Sequence, residues 1–171
     1  HGANSSKESV FKLHNLSITF KNLLIDQQTG KDFLSFNHVD LSIEESFADM
    51  KNTGIKHAAI KSYSISIDSL NVQKSKDTLI FHFKNLNSSL TGLDIQTADS
   101  INHVSLGSFN LDYKKQSIQL KNILFKPNVS DAAIQKKFKF QKVNASGSAG
   151  TVEITGINFD SLIYYSKVYI D

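Results

Sequence analysis

Cysteine, arginine and tryptophan are missing from this 171-residue chain, and proline and methionine occur once each. Without cysteine there is no disulfide framework and no thiolate chemistry. Without arginine, all 19 basic residues are lysine. The bidentate contacts that read phosphate and guanine are therefore lost, which argues against sequence-specific nucleic-acid binding. No run approaches the ~18 apolar residues of a membrane span, and no charged-then-apolar signal peptide opens the chain. His1-Gly2 reads as a tag remnant. The expected organisation is a disordered lead over 1–10 and a single β-repeat domain over 11–171, a fragment of a longer chain.

The formal charge is +3, but it is unevenly spread. Residues 114–142 carry eight lysines against Asp131 alone, a local charge of +7 that leaves about −4 elsewhere. Lys136, Lys137, Lys139 and Lys142 form the densest basic patch. A solvated sheet face explains such a run, and an anionic partner such as lipid headgroups or acidic glycan is the functional alternative.

What the chain has in abundance is one pattern. In VSLGSFNLDY, apolar side chains alternate at Val104 and Leu106, skip one extra residue at Gly107-Ser108, and resume at Phe109, Leu111 and Tyr113. The same phase break occurs in Phe11-Leu13-Leu16-Ile18-Phe20, Leu34-Phe36-Val39-Leu41-Ile43, Ile65-Ile67-Leu70-Val72 and Phe81-Phe83-Leu86. It recurs in Ile118-Leu120-Ile123-Phe125, Phe138-Phe140-Val143-Ala145 and Val152-Ile154-Ile157-Phe159. Eight copies in one chain decide the architecture before any fold is considered.

A strand has a side-chain period of two, so one inserted residue should turn every later side chain to the other face. Here the apolar residues resume on the same side, which requires a bulge at each break. The doublets at the breaks are polar or contain glycine: His14-Asn15, Asn37-His38, Asp68-Ser69, Lys84-Asn85, Gly107-Ser108, Lys121-Asn122, Gln141-Lys142 and Thr155-Gly156. The expected fold is mostly β: a strongly curved antiparallel meander of eight to nine bulged strands, each about ten residues long, forming a trough or half-barrel. Hairpin turns are expected over 26–32, 73–77 and 114–117. The connection over 44–62 is expected to hold a short helix, and 91–102 a loop. Pro127 should end its strand. Helical turns are expected after Ser130-Asp131 and Asp160-Ser161, and a ninth strand over 167–170.

Eight strands about 4.8 Å apart and about 33 Å long present roughly 1,200 Å² of apolar surface on one face. Soluble monomers expose only a few hundred Å² in one patch, so something must cover this face. The sheet can close on itself as a sandwich or lipocalin-like barrel around a small apolar ligand, pack its own connections into the trough, or hold lipid.

The stretches "VSLGSFNLDYKKQSIQLKNILFKP" and "FKFQKVNASGSAGTVEITGINFDSL", with the strand that restarts after them, resemble the AsmA-like and TamB-related proteins of the bacterial envelope, within the bridge-like lipid transfer superfamily and of Bacteroidetes type. The resemblance covers 101–171 best and the first hundred residues through the strand pattern. It implies a periplasmic, cell-envelope location, anchoring by a membrane helix outside this segment, and guidance of lipid along an apolar groove. It supplies no catalytic residue.

No catalytic signature is found. His1, His14, His38, His57, His82 and His103 form no HxH, HExxH or paired-cysteine ligand set. His14 and His38 hold equivalent positions in the first two copies; they read as satisfied polar residues of the breaks, the alternative being a metal held between paired strands. Ser146-Gly147-Ser148-Ala149-Gly150 lacks the spacing of a nucleophile elbow or a phosphate loop and reads as a flexible hairpin turn. KKFKFQK interleaves lysine and phenylalanine, but strand alternation puts Phe138 and Phe140 on the face opposite Lys137 and Lys139, which argues against nucleic-acid stacking. Five N-x-[ST] sequons occur, at Asn4, Asn15, Asn87, Asn128 and Asn144, together with four Asp-[Ser/Thr]-apolar triplets at Asp68, Asp77, Asp99 and Asp160. The expected activity is therefore non-enzymatic. No cofactor, no metal and no nucleic acid is implied, and the partners are lipid, a membrane surface or other segments of the parent chain. The expected groove lining is Phe109, Leu111, Phe138, Phe140, Ile157 and Phe159.

Overall fold

A computed structural model describes residues 9–26, 33–50, 54–75, 78–99, 101–130, 132, 136 and 145–165. The described residues form one antiparallel sheet of eight strands that does not close. The strands are β1 (Val10–Asp26), β2 (Phe33–Asp49), β3 (Ile55–Ser75), β4 (Thr78–His82), β5 (Asn85–Thr97), β6 (Asn102–Asp112), β7 (Ser117–Pro127) and β8 (Gly147–Ile154). They lie in the order β1-β2-β3-β5-β6-β7-β8, with β4 also paired to β3. One short helix, α1 (Phe159–Tyr165), follows β8.

The phase breaks are real, and their form differs from an inserted bulge. Along β2–β3, β5–β6, β6–β7 and β7–β8 the register holds without slippage. Breaks in neighbouring strands instead face one another. Asn37-His38 lies across from Asp68-Ser69, Asp68-Ser69 across from Lys84-Asn85, and Gly107-Ser108 across from Lys121-Asn122. Within facing doublets one residue adopts a left-handed conformation: Ser69 at φ 55° and Asn122 at φ 55°. A single left-handed residue reverses the pleat locally, so both strands change phase together and the ladder continues.

These sites line up into two rows that cross the sheet. The first runs from Asn22 in β1 through Asn37 and Ser69 to Lys84, in the short gap between β4 and β5. The second runs from Asn15 through Glu45, Lys61, Gly92, Gly107 and Asn122 to Gly150. In the second row the left-handed residues are Asn15, Glu45, Gly92 and Asn122. Where two adjacent strands both carry one, at Asn15 and Glu45, the register slips between Lys12 and Ser17 and then recovers.

Because the strands cross both rows, they are longer than the ten residues expected. β1 and β2 each run 17 residues and β3 runs 21. Two expected connections are accordingly strand. The segment 44–62, expected to hold a helix, continues β2 to Asp49 and opens β3 at Ile55. The segment 91–102, expected as a loop, carries β5 to Thr97, with Thr91-Gly92 as a further phase break between Leu90 and Leu93. Ser146–Gly150 is not a turn either: Gly147, Ser148 and Ala149 pair with Phe125, Leu124 and Ile123. This pairing needs only backbone groups, which is why no apolar pattern announced it.

The expected turn at 114–117 is present, with β7 opening at Ser117; β7 ends at Pro127, and α1 starts one residue before Asp160. Of the turn expected over 73–77, residues 73–75 are the end of β3 and 76–77 lie outside the described residues. β8 pairs directly with β7. The copy Phe138-Phe140-Val143-Ala145 lies almost wholly outside the described residues, as do the turn over 27–32 and the ninth strand over 167–170. Of the turn expected after Ser130-Asp131, Ala132 and Lys136 are helical and the residues between lie outside.

The alternation sorts side chains by face. One face carries Leu34, Phe36, Val39, Tyr63, Ile65, Leu90, Leu93, Leu106, Phe109 and Leu111, and the other carries serine, histidine, asparagine and aspartate. Few apolar residues are buried: among those described, only Ala48, Ile101, Ile157 and Phe159 are more than nine-tenths covered. Most of the apolar face is half-exposed, and β1 is bare, from Ile18 at 48% to Phe11 at 74%.

Candidate apolar groove

The apolar face becomes a cavity where α1 folds back on it. After β8 the chain bends at Gly156 (φ 75°), and the Ile157 N–H donates to the Gln116 carbonyl at 3.1 Å. This anchors Ile157 against the β6–β7 turn and buries it to 4% exposure. Phe159, the first residue of α1, is then carried over the apolar face and is 3% exposed. Its ring stacks on Tyr113 at 6.0 Å, and Tyr113 meets Phe83 edge-on at 5.1 Å. The Tyr113 hydroxyl donates to the Asp160 carboxylate at 2.5 Å, which fixes the helix to the sheet. Asp160 also sits in the first turn of α1, where a negative charge suits the helix dipole.

Beside this clamp lies a concavity of about 550 Å³, within the range of small-molecule sites. Its wall is drawn from β3 (Tyr63, Ile65), β5 (Leu86, Leu90, Leu93), β6 (Leu106, Phe109, Leu111) and α1 (Phe159, Leu162). Leu90 and Leu93 line it together, as do Leu106 and Phe109, although each pair is three residues apart. That is the geometric consequence of the phase break: side chains that plain alternation would put on opposite faces share one wall. A second apolar concavity of about 300 Å³ lies at the far end of β1–β3, lined by Phe11, Leu13, Ile43, Ala48, Met50 and Ile60 among others.

Three of the six expected lining residues, Phe109, Leu111 and Phe159, meet in the larger cavity. Ile157 is instead packed beneath the turn, and Phe138 and Phe140 lie outside the described residues. Sequence reasoning did not assign Ile65, Leu86, Leu90 and Leu106 to the lining although they belong to the repeated pattern, and it passed over Tyr63 and Leu93 altogether. The Leu90-Thr91-Gly92-Leu93 spacing carried the signal, since it repeats the phase break of VSLGSFNLDY. Of the basic patch, Lys136 is exposed, and Lys137, Lys139 and Lys142 lie outside the described residues.

The opposite face is polar and cross-linked. Ser62 and Thr91 hydroxyls meet at 2.6 Å, and those of Ser64 and Ser89 at 2.8 Å. His57 pairs with Asp49 at 2.6 Å and His103 with Asp94 at 2.5 Å. At the first row of breaks, His38 Nδ1 lies 2.7 Å from Asp68 and Nε2 lies 2.8 Å from Asp40. Both partners only accept, so the doubly protonated ring satisfies them best. The His38 pKa is accordingly raised above its ordinary 6.5, by the hydrogen bond to Asp68 first and then against the opposing effect of desolvation. Asp68 is lowered by His38 and by the Asn85 amide, which donates to it at 3.1 Å.

His38 and His14 do not face each other. His38 pairs with Lys21 and His14 with Glu44, about 23 Å apart along β1. Both His38 nitrogens are committed to carboxylates, so His38 is a satisfied polar residue of its break, and His14 and His38 do not form the metal pair weighed against that reading. Among the described residues no group of three metal-ligand side chains converges, and no helix is long and apolar enough to cross a membrane. Compared with known proteins, the chain matches no family model, no curated protein and no solved structure.

Proposed function

We propose that this is a non-enzymatic domain of the cell envelope whose apolar sheet face binds and guides lipid acyl chains. One observation carries the reading. A continuous apolar face, with a cavity of about 550 Å³ against α1, stays open to solvent over a single-layer sheet. Exposed apolar surface on this scale marks an interaction or ligand site. An acyl chain suits it better than a drug-like polar ligand, because the wall is aliphatic and aromatic except for Ser88, whose hydroxyl is turned to the Tyr63 hydroxyl at 3.4 Å. The resemblance of 101–171 to envelope lipid-transfer proteins points the same way, and the lysine-rich stretch after Asp112 provides charge for anionic headgroups.

The test is native mass spectrometry of delipidated protein mixed with phosphatidylethanolamine, phosphatidylglycerol or palmitate. Retained lipid, reduced at least fivefold in Phe109→Asp, is the expected result. Protein that retains none of the three contradicts the proposal.

A further inference from the structure

β1 is the feature of this sheet that most needs a partner. Among the described residues nothing pairs with its outer edge, it is 17 residues long, and its apolar side chains are 44–74% exposed. Edge strands in soluble proteins are normally blunted by shortness, proline or inward-pointing charge. β1 has no proline, and along its apolar face no charge interrupts the series from Phe11 to Ile25. Among the described residues the opposite edge is β8, which is only eight residues long and opens GSAG.

The pattern of β1 also says what fits it. Phe11, Leu13, Leu16, Ile18, Phe20, Leu23 and Ile25 are spaced 2-3-2-2-3-2, a palindrome centred on Ile18. Two β1 strands run antiparallel about Ile18 would therefore pair Leu16 with Phe20, Leu13 with Leu23 and Phe11 with Ile25, all on one face. The same register sets the doublet His14-Asn15 against Lys21-Asn22 at both ends. Doublet facing doublet is the rule that the rest of the sheet follows. Two left-handed asparagines, Asn15 and Asn22, would then sit in adjacent strands at each end. The β1–β2 pair already absorbs that arrangement at Asn15 and Glu45, with a slip that recovers.

We propose that the partner of β1 is β1 of a second copy of this chain, joined antiparallel about a two-fold axis at Ile18. The contact is isologous, uses each β1 once, and so closes at two copies. It also keeps both apolar faces on the same side, making one continuous surface from two sheets. An edge about 58 Å long and about 10 Å thick gives roughly 1,100 Å² over both copies, near the lower bound for specific interfaces.

The chain has no cysteine, so single cysteines report the register cleanly. At the axis, Ile18→Cys places two sulfurs opposite each other, within disulfide reach. Leu24→Cys places them about 40 Å apart, since position 24 faces position 12. Sedimentation velocity of the unmodified chain should give twice the monomer mass at micromolar concentration. Ile18→Cys should oxidise to a covalent dimer at least tenfold faster than Leu24→Cys, and Ile18→Lys should return the protein to monomer with its far-ultraviolet spectrum unchanged. A monomer at all concentrations, or equal oxidation of the two cysteine variants, overturns the proposal.

Discussion

Replacing Gly92 with alanine tests whether the rows of left-handed residues hold the sheet together. Gly92 sits at φ +63°, and a Cβ built there would lie 2.8 Å from Lys61 Cβ. Two separate penalties follow. An L-residue in the left-handed region costs about 1–2 kcal/mol, and forcing a methyl into an occupied site costs about 1–3 kcal/mol. Since Lys61 can yield a little, the sum expected for Gly92→Ala is about 2–4 kcal/mol. For a domain of this size that corresponds to a Tm lowered by roughly 5–15 °C.

Urea unfolding followed by circular dichroism reads the free energy, and the slope should stay unchanged. Gly147→Ala is the control, because a Cβ there meets nothing within 4 Å. It should fall within about 0.5 kcal/mol of the parent chain. A double-mutant cycle with Lys61→Gly separates the penalties: removing the facing Cβ should recover about 1–2 kcal/mol of the loss and leave the backbone strain in place. If Gly92→Ala costs no more than Gly147→Ala, the left-handed row is incidental and the account of the phase breaks fails.

Phe159→Ala should destabilise by about 3 kcal/mol, since the ring is almost fully buried and stacked on Tyr113; thermal melts check this, and a loss below about 1 kcal/mol would mean that α1 is not held to the sheet. The raised His38 pKa makes its stabilising contribution complete below 6.5 and lost as pH climbs through the raised value. Asp68, and Asp112, which accepts the Lys115 backbone N–H at 3.0 Å, have pKa values lowered from 3.8; they contribute above that value and lose their contribution as pH falls through the lowered ones. For these groups the Tm should therefore be highest between about pH 4 and 6.5, and Asp68→Asn should flatten the decline on the alkaline side. Proton NMR should find His38 titrating above 6.5 in the parent chain and closer to 6.5 in Asp68→Asn; titration at or below 6.5 in the parent refutes the pairing.

The sheet was legible because its irregularities are periodic. Asn15, Ser69, Asn122 and Gly156 each fall second in a polar doublet flanked by apolar residues, and each takes a positive φ. Strand length was not legible, for a related reason. A template with one break per strand stops at the second, and β2 crosses its second break at Glu44-Glu45 into Ser46 and Ala48, where the apolar signal fades. The same template hid Gly92, so that β5 ended in an expected loop and the wall at Leu93 was lost. Gly147–Gly150 pairs through its backbone and has no side-chain signature. Phe109 and Leu111 could be placed on the groove from alternation alone. Phe159 needed the helix to turn it inward, and Tyr63 needed the register between β3 and β5, which no local pattern encodes.

The central claim is that one face of this sheet holds acyl chains, and photo-crosslinking tests it at residue level. Delipidated protein is loaded with a diazirine-bearing fatty acid, irradiated, digested and mapped by mass spectrometry. Adducts concentrated on Tyr63, Leu90, Leu93, Leu106 and Phe109 are predicted. Adducts absent from these residues, or spread equally over Ser64, Ser89 and Asn110 on the polar face, would contradict it.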